Sequence, residues 1–124
     1  MIHFVGAGPG DPELITVKGA KLLERADIVI YAGSLVPREV LKYCRPDCEI
    51  YDSSKMDLEE IIGVMIKAEE EQKTTVRLHT GDPSVFGAIR EQIDILSDNG
   101  CDLDITPGVS SFLAAAAEIG RAHV

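Results

Sequence analysis

The sequence predicts one α/β domain with a mostly parallel, five-stranded sheet flanked by helices. Three observations predict it. The 124 residues are enough for a single hydrophobic core. Short apolar runs rich in β-branched residues alternate with longer segments whose apolar residues recur at helical spacing. Turns containing glycine or proline separate them, and strands that alternate with helices form parallel sheets covered on both faces.

The first two strands are predicted at residues 2–5 and 28–31. The first is a short apolar run that stops at a glycine cluster. The second is apolar throughout and largely β-branched, as expected for a strand covered on both faces. Between them, residues 14–23 show helical apolar spacing, with Thr16 placed as an N-cap.

The middle of the chain is predicted to hold a short helix, a minor strand and a long helix. Pro37 can open a short helix that runs through residue 41, and residues 49–51 are expected to form the minor strand. The long helix starts after Asp57, because Asp57 and Glu60 have the spacing of a capping box. Its apolar face consists of Leu58, Ile61, Ile62, Met65 and Ile66.

The last part of the chain repeats the alternation of strand and helix. Residues 75–79 and 103–106 are predicted strands. Between them, residues 85–96 trace an amphipathic helix. After the second of these strands, Ser110 or Ser111 starts an alanine-rich helix.

The last seven residues are predicted not to belong to the domain. Residues 118–124 resemble the translation of a common sequencing-adapter read-through. We therefore expect residues 1–117 to be the domain and residues 118–124 to be a non-native tail, which cuts the last helix short. The alternative is a genuine helix end at Gly120 with a basic tail.

Composition and charge exclude several classes of protein. Twenty-one acidic against 12 basic residues give a net charge of −9, which repels nucleic-acid backbones and anionic membrane surfaces. No apolar stretch reaches the roughly 18 residues of a membrane-spanning helix. Cys44, Cys48 and Cys101 are odd in number and follow no leader peptide, which disfavours a disulfide framework. We expect a cytoplasmic protein without nucleic-acid or membrane partners.

The loop at residues 5–12 follows the first strand and superficially resembles a dinucleotide-binding loop. Ligands of parallel α/β sheets collect beyond the carboxyl ends of the strands, so such loops are the first candidates for a site. Asp11, however, stands where the third glycine of that fingerprint belongs, and Pro9 lacks an amide that could bind phosphate. NAD and ATP are therefore disfavoured.

Two later loops also follow strands and lead into helices. In residues 80–87, Gly81 permits a positive φ, and Asp82 or Ser84 can cap the helix. In residues 106–111, small hydroxylated side chains leave room for an adenosine or amino-acid moiety. For both loops, helix capping alone is the alternative interpretation.

The sequence contains no pattern typical of a metal centre or of nucleophilic catalysis. His3 and His79 lie in strand-like runs, and neither has a second ligand at a metal-binding spacing. No Gly-x-Ser-x-Gly elbow is present. We therefore expect no protein-bound metal, and no catalytic side chain is assigned.

Together, the order and spacing of these loops resemble those of a known family. The segments are Val-Gly-Ala-Gly-Pro-Gly-Asp-Pro from residue 5, Tyr-Ala-Gly-Ser-Leu-Val from residue 31, Thr-Gly-Asp-Pro-Ser-Val-Phe-Gly from residue 80 and Pro-Gly-Val-Ser-Ser from residue 107. This pattern is similar to the tetrapyrrole methylases over residues 1–117. The segment from residue 31 resembles the branch that methylates C11 of precorrin-4 or cobalt-precorrin-4 in cobalamin biosynthesis. Family members that methylate uroporphyrinogen typically carry an aspartate in place of Ala32, so an acid–base role for that residue is not carried over.

The resemblance implies an S-adenosylmethionine-dependent methyltransferase whose N-terminal domain is this chain. The donor would lie in a cleft between this domain and a second α/β domain, the full-length enzyme would be a homodimer, and the fragment alone would be inactive. The implied donor contacts are Pro9, Thr80, Gly81, Asp82, Val85, Ser110 and Ser111. The implied wall of the tetrapyrrole trough comprises Gly8, Gly10, Asp11, Tyr31, Gly33 and Ser34.

The substrate of such an enzyme is a polycarboxylate, whereas the chain is acidic, so local positive groups must bind it. Arg38, Lys42 and Arg45 are the candidates, and an ordinary solvated helix face is the alternative. Other functions stay open: a sibling methylase acting at C20, C17 or C2/C7, a diphthine or ribosomal-RNA methylase, or a non-catalytic nucleotide-binding module. The negative charge disfavours the RNA-acting enzymes.

Overall fold

The computed structural model describes residues 1–81 and 89–122. The strands are β1 (Ile2–Gly6), β2 (Ile28–Tyr31), β3 (Glu49–Asp52), β4 (Thr75–His79) and β5 (Leu103–Thr106). The α-helices are α1 (Val17–Arg25), α2 (Leu58–Glu70), α3 (Arg90–Asp98) and α4 (Ser111–Ala122). Three 3₁₀ segments lie at Pro12–Leu14, Arg38–Tyr43 and Ser53–Lys55.

The five strands form one sheet in the order β3-β2-β4-β1-β5, and every pairing is parallel. The predicted five-stranded α/β sheet is therefore confirmed. Because all strands run in one direction, their carboxyl ends share one edge of the sheet. The loops that leave this edge, at residues 7–11, 32–36, 80–81 and 107–110, are called the loop rim below.

Side chains alternate between the two faces of the sheet, and each face has its own core. On one face, α1 and the Arg38–Tyr43 segment cover a cluster that includes Val5, Val29, Val76, Leu78, Leu22, Leu23, Val36 and Val40. On the other face, α2 and α3 cover Ile2, Phe4, Ile28, Ile30, Ile61, Ile62, Met65 and Leu96. The rim loops are thus held by a sheet that is packed on both sides.

Two helix starts that the sequence predicts are confirmed in detail. The Thr16 hydroxyl accepts a hydrogen bond from the Gly19 amide at 3.0 Å, ahead of α1. At α2, Asp57 Oδ1 accepts from the Glu60 amide at 2.8 Å and Glu60 Oε1 accepts from the Asp57 amide at 3.3 Å. This reciprocal pair satisfies two backbone donors that the first helical turn leaves free.

Some boundaries differ from the prediction. The short helix expected from Pro37 is a 3₁₀ segment, Arg38–Tyr43, with Pro37 as its N-cap. Pro46 lies soon after, and a proline disfavours helical backbone at the residue before it, which leaves little length for a regular helix. Of the predicted helix at 85–96, residues 85–88 lie outside the described residues, and α3 covers Arg90–Asp98. That residues 118–124 are non-native stays a prediction.

Across the residues that the structure describes, no helix combines the length and the apolar character needed to cross a bilayer. Cys44, Cys48 and Cys101 are all free thiols. Cys44 and Cys48 lie against the core on the α1 side of the sheet. Burial raises the pKa of the Cys44 thiol to about 12, so this thiol is protonated at neutral pH.

Candidate functional site

The loops after β1 and β4 are joined by backbone hydrogen bonds at the loop rim. The Gly8 amide donates to the Gly81 carbonyl at 3.2 Å, and the Gly81 amide donates to the Gly8 carbonyl at 2.7 Å. One step earlier, the Ala7 amide donates to the His79 carbonyl at 2.6 Å. The two glycine-bearing loops therefore share one site, as the sequence predicts.

The loop after β5 reaches the same point. A Cβ placed on Gly6 would lie 2.5 Å from the Gly81 oxygen and 2.7 Å from both the Cα and the nitrogen of Gly108. A Cβ on Gly108 would lie 2.8 Å from the Gly6 Cα. These separations are shorter than carbon and oxygen atoms tolerate, so only glycine fits. Gly6, Gly8, Gly81 and Gly108 are together called the glycine junction.

The backbone of the glycine junction also requires glycine for conformational reasons at two positions. Gly8 has φ 80° and Gly81 has φ 61°. This left-handed region is costly for residues with a Cβ. The positive φ predicted for Gly81 is thereby confirmed, and it turns the Gly81 amide and carbonyl toward Gly8.

Two hydroxyl groups lie beside the glycine junction. Thr106 ends β5 with 1% of its surface exposed, and its Oγ1 has no hydrogen-bond partner among the described residues. Ser110 is buried, and its Oγ accepts from the Phe112 amide at 3.2 Å, so it caps α4. Sequence reasoning included Thr106 in the loop at residues 106–111 but assigned a contact only to Ser110 and Ser111, because nothing in a sequence marks a hydroxyl as unpartnered.

Of the predicted donor contacts, Pro9, Thr80, Gly81 and Ser110 all lie in the loops of the rim. Thr80 and Pro9 are partly exposed, whereas Gly81 is buried. Asp82, Val85 and the side chain of Ser111 lie outside the part of the chain that is described. Donor binding by all seven residues stays a prediction.

The predicted substrate wall divides into exposed and buried parts. Gly33, Ser34 and Arg38 are exposed at the rim, and a Cβ on Gly10 would lie 3.8 Å from the Pro37 side chain. Loop 7–11 therefore borders the segment that carries Arg38. Tyr31, in contrast, has 7% of its surface exposed and packs into the core on the α1 side.

Two further members of the predicted wall have structural tasks that the sequence did not reveal. Asp11 Oδ1 accepts from the Glu13 amide at 2.9 Å and so caps the Pro12–Leu14 segment. Gly8 belongs to the glycine junction. The Asp11 carboxylate, which distinguishes this loop from a dinucleotide-binding loop, therefore stabilises the 3₁₀ segment that follows the loop.

The three cationic candidates do not lie together. Arg45 donates to Asp27 Oδ1 at 2.8 Å and to the Ala26 carbonyl at 3.1 Å. Both partners directly precede β2, at the amino end of the strands, so Arg45 is on the edge opposite the loop rim. Arg38 and Arg45 lie apart because the chain between them runs from the carboxyl end of β2 back to the amino end of β3. Substrate binding by Arg45 stays a prediction. Lys42 lies over the Tyr43 ring, 5.4 Å from its centroid.

Asp52 is a rim residue that sequence reasoning missed. Its Oδ1 accepts hydrogen bonds from the Gly33 amide at 2.8 Å, the Ser54 hydroxyl at 2.6 Å and the Ser54 amide at 3.0 Å. These donors, the Ser54 hydroxyl foremost, lower the pKa of the Asp52 carboxyl. No sequence pattern links Asp52 to Gly33, since 19 positions separate them.

Beneath the rim, β4 carries two basic side chains into the α2–α3 core. Arg77 is 6% exposed, and it donates to Gln92 Oε1 at 3.2 Å and to the Ile30 carbonyl at 3.3 Å. Burial lowers the pKa of Arg77 to about 10, so it remains charged at neutral pH. His79 stacks on Phe4 with ring centroids 5.9 Å apart.

His79 is neutral at physiological pH. Burial, with a smaller contribution from the charge of Arg77, lowers the pKa of His79 to about 3. Its Nε2 is buried without a hydrogen-bond partner in the described part of the chain. His3 lies elsewhere, with Nδ1 2.6 Å from Asp104 Oδ1. Among the described residues, no group of three potential metal ligands is found.

A cavity of about 640 Å³ lies away from the loop rim. Ile28 and Glu49, which begin β2 and β3, line it together with side chains of α2 such as Lys67. It is therefore near the amino ends of these strands. Of the predicted site residues that the structure describes, none lines it, and its mixed lining of glutamates, lysines and apolar groups does not identify a ligand.

Comparison with known proteins identifies relatives of this arrangement. The family model for tetrapyrrole (corrin/porphyrin) methylases matches residues 1–123. A cobalt-precorrin-4 C(11)-methyltransferase of Methanocaldococcus jannaschii is 62% identical over 118 residues, which are 95% of this chain and 46% of that protein.

Two solved structures have the same fold. The X-ray structure of the cobalamin biosynthetic enzyme cobalt precorrin-4 methyltransferase, CbiF, superposes with a TM-score of 0.91 at 50% identity, covering 94% of this chain and 49% of that one. Uroporphyrin-III C-methyl transferase from Thermus thermophilus, complexed with S-adenosyl homocysteine, gives a TM-score of 0.78 at 37% identity, covering 93% and 47%. The chain thus spans about half the length of the relatives it matches. On its sequence, its parallel sheet and the match along nearly its whole length, the chain belongs to the tetrapyrrole (corrin/porphyrin) methylases.

Proposed function

We propose that this chain is the N-terminal half of an S-adenosylmethionine-dependent C-methyltransferase that methylates C11 of cobalt-precorrin-4 or precorrin-4 in cobalamin biosynthesis. The observation that carries the proposal is the glycine junction, which joins three strand-end loops at one rim in a chain of this family. The choice of C11 is supported by the 62% and 50% identity to proteins named as cobalt-precorrin-4 methyltransferases. In this proposal the complete enzyme is a cytoplasmic homodimer.

The glycine junction suits the methyl donor because it offers backbone in place of side chains. S-adenosylmethionine brings an adenosine, an amino-acid end and a sulfonium, and the main-chain groups of the three loops that the glycines draw together would contact them. Thr106, two residues before Gly108, has a buried hydroxyl that finds no partner within the described residues. The first amides of α4, after Ser110, can receive the donor carboxylate. Pro9, Thr80, Gly81, Asp82, Val85, Ser110 and Ser111 would hold the donor.

The protein's contribution to the reaction is alignment. When bound, S-adenosylmethionine supplies an already activated methyl group, and transfer of that group leaves S-adenosylhomocysteine. The rim residues orient donor and acceptor carbon in line and exclude water, and such alignment supplies much of the rate of a two-substrate reaction. His79, neutral and buried below the rim, adds no charge to this site.

The acceptor would lie along the exposed part of the wall. Gly10, Gly33 and Ser34 present little more than backbone, which lets a broad flat macrocycle approach the rim. Arg38 would bind one of its carboxylates, since a guanidinium can do so with two parallel hydrogen bonds. Such a local contact is needed because the net charge of −9 repels a polycarboxylate.

The ligand preference tests this proposal. We expect calorimetric titration of the complete enzyme, in which this chain is followed by its second half, to detect S-adenosylhomocysteine binding and no NAD binding. Asp11 repels pyrophosphate, and Pro9 withholds an amide that would bind it. Incubation with cobalt-precorrin-4 and donor should then give a product with one added methyl group at C11. Preferential NAD binding, or methylation at another carbon, would contradict the assignment.

Charge reversal tests the contact to the substrate. Arg38→Glu in the complete enzyme should weaken tetrapyrrole binding about tenfold and leave the affinity for S-adenosylhomocysteine unchanged. Arg25→Glu is the matched control, because Arg25 is exposed at the end of α1, close to the start of β2 at the opposite edge of the sheet, and the substitution changes the net charge equally. Fluorescence titration with the tetrapyrrole measures both. Equal effects of the two variants would mean that only the overall field matters and that Arg38 makes no contact.

A further inference from the structure

We propose that Asp52 is a positioning residue that holds the turn at residues 32–36 in the shape required for tetrapyrrole binding. This inference rests on the proposed function of the loop rim. It concerns a residue at the end of β3, on a strand that carries none of the predicted site residues.

The turn is fixed in two ways, one internal and one through Asp52. Internally, the Ala32 carbonyl accepts hydrogen bonds from the Leu35 amide at 2.9 Å and the Val36 amide at 2.8 Å. Externally, the Gly33 amide donates to Asp52 Oδ1 at 2.8 Å. The parallel register places Asp52 opposite Tyr31, so its carboxylate lies where the β2 chain leaves the sheet. The external bond therefore sets where the turn begins.

Asp52 is itself held rigidly. The hydroxyl and the amide of Ser54 both donate to the same Oδ1 that binds Gly33. Because these donors lower the pKa of its carboxyl, Asp52 is charged at neutral pH and accepts strongly from the Gly33 amide. A Cβ on Gly33 would lie 2.8 Å from the Asp52 Cγ, so glycine is also required for this approach.

Burial fixes only the far end of the turn. Val36 is 1% exposed and Val40 is fully buried, so the core holds the chain from residue 36 onward. Gly33 and Ser34 are exposed and Leu35 is 64% exposed. Because these three residues are little buried, the hydrogen bond from Gly33 to Asp52 and the bonds within the turn are what orient them. Gly33 and Ser34 belong to the wall that would face the macrocycle under the proposed function.

Kinetics of the complete enzyme test the proposal. Asp52→Ala should raise the KM for the tetrapyrrole about tenfold while kcat and the affinity for S-adenosylhomocysteine change by less than about twofold. Asp52→Asn keeps an oxygen that can accept from Gly33, so its KM should lie between those of the wild type and Asp52→Ala. Asp57→Ala is the matched control. It removes a carboxylate that accepts from an amide at 2.8 Å in the α2 cap, and it should leave the KM unchanged.

A second measurement follows the bond directly. In the isotope-labelled chain, the Gly33 amide proton should exchange with solvent about tenfold faster in Asp52→Ala than in the wild type. Unchanged exchange, an unchanged KM, or an equal loss of tetrapyrrole and S-adenosylhomocysteine affinity would each overturn the proposal. If the wild-type enzyme methylates no tetrapyrrole, the proposed function falls and this inference falls with it. An active wild type with an equally active Asp52→Ala variant overturns the inference alone.

Discussion

Replacing Gly6 with alanine should lower the free energy of unfolding by about 3 kcal/mol and weaken S-adenosylhomocysteine binding by about tenfold or more. The added methyl group would lie 2.5 Å from the Gly81 oxygen and 2.7 Å from the Gly108 Cα. All of these neighbours are backbone atoms, which cannot rotate away as a side chain can. Relief therefore requires the three loops to separate. Urea unfolding followed by circular dichroism measures the first effect, and calorimetry measures the second.

Gly63→Ala is the matched control for this substitution. Gly63 lies within α2, and no atom lies within 4 Å of the Cβ that alanine would add. Alanine is the better helix former, so this variant should be more stable by about 0.5–1 kcal/mol. Donor affinity should be the same as in the wild type. A Gly6→Ala variant with wild-type stability would show that the loops are not in contact at the glycine junction.

Acidification should destabilise the wild type more than a His79→Phe variant. Burial lowers the folded-state pKa of His79 to about 3, whereas the unfolded chain titrates near the usual value of 6.5. Between these two pH values the unfolded state binds the proton and the folded state does not. The stability that comes from a neutral His79 is therefore fully present above pH 6.5 and is lost as the pH falls toward 3.

The expected slope is about 1.4 kcal/mol for each pH unit in that window. Carboxylates titrate in both proteins, so the difference between the two curves of unfolding free energy against pH isolates the contribution of His79. Phenylalanine keeps an aromatic ring that can stack on Phe4 and removes the titrating nitrogens. Urea unfolding at a series of pH values gives both curves. A difference between the two proteins that is constant with pH would mean that His79 protonates freely in the folded state.

The fold was predictable from local patterns. The apolar run at residues 28–31 became β2, and the Asp57–Glu60 spacing became the capping box of α2. Such features depend on residues within one or two turns of each other, so the sequence displays them directly. The parallel direction of the strands followed from their alternation with helices.

The site was predictable only in part, because its contacts span long stretches of chain. The family resemblance assigned Gly81 to donor binding and the loop at residues 6–11 to the substrate wall, yet only the structure reveals that the backbones of Gly6, Gly81 and Gly108 touch. The pairing of Arg45 with Asp27 and that of Asp52 with Gly33 join different strands. A single sequence contains no pattern for such pairs, so neither pairing was predicted.

The glycine junction also orders events during synthesis of the chain. Gly6 is synthesised early and contacts Gly108 only after β5 has paired with β1. This contact closes a loop of about a hundred residues, and closing such a loop costs conformational entropy. A nascent chain that stops before β5 can form helices and pair β1 with β4. It lacks the loop after β5, however, and so lacks Gly108 of the glycine junction. On the proposed function, affinity for the methyl donor cannot arise before β5 and the loop after it have been made.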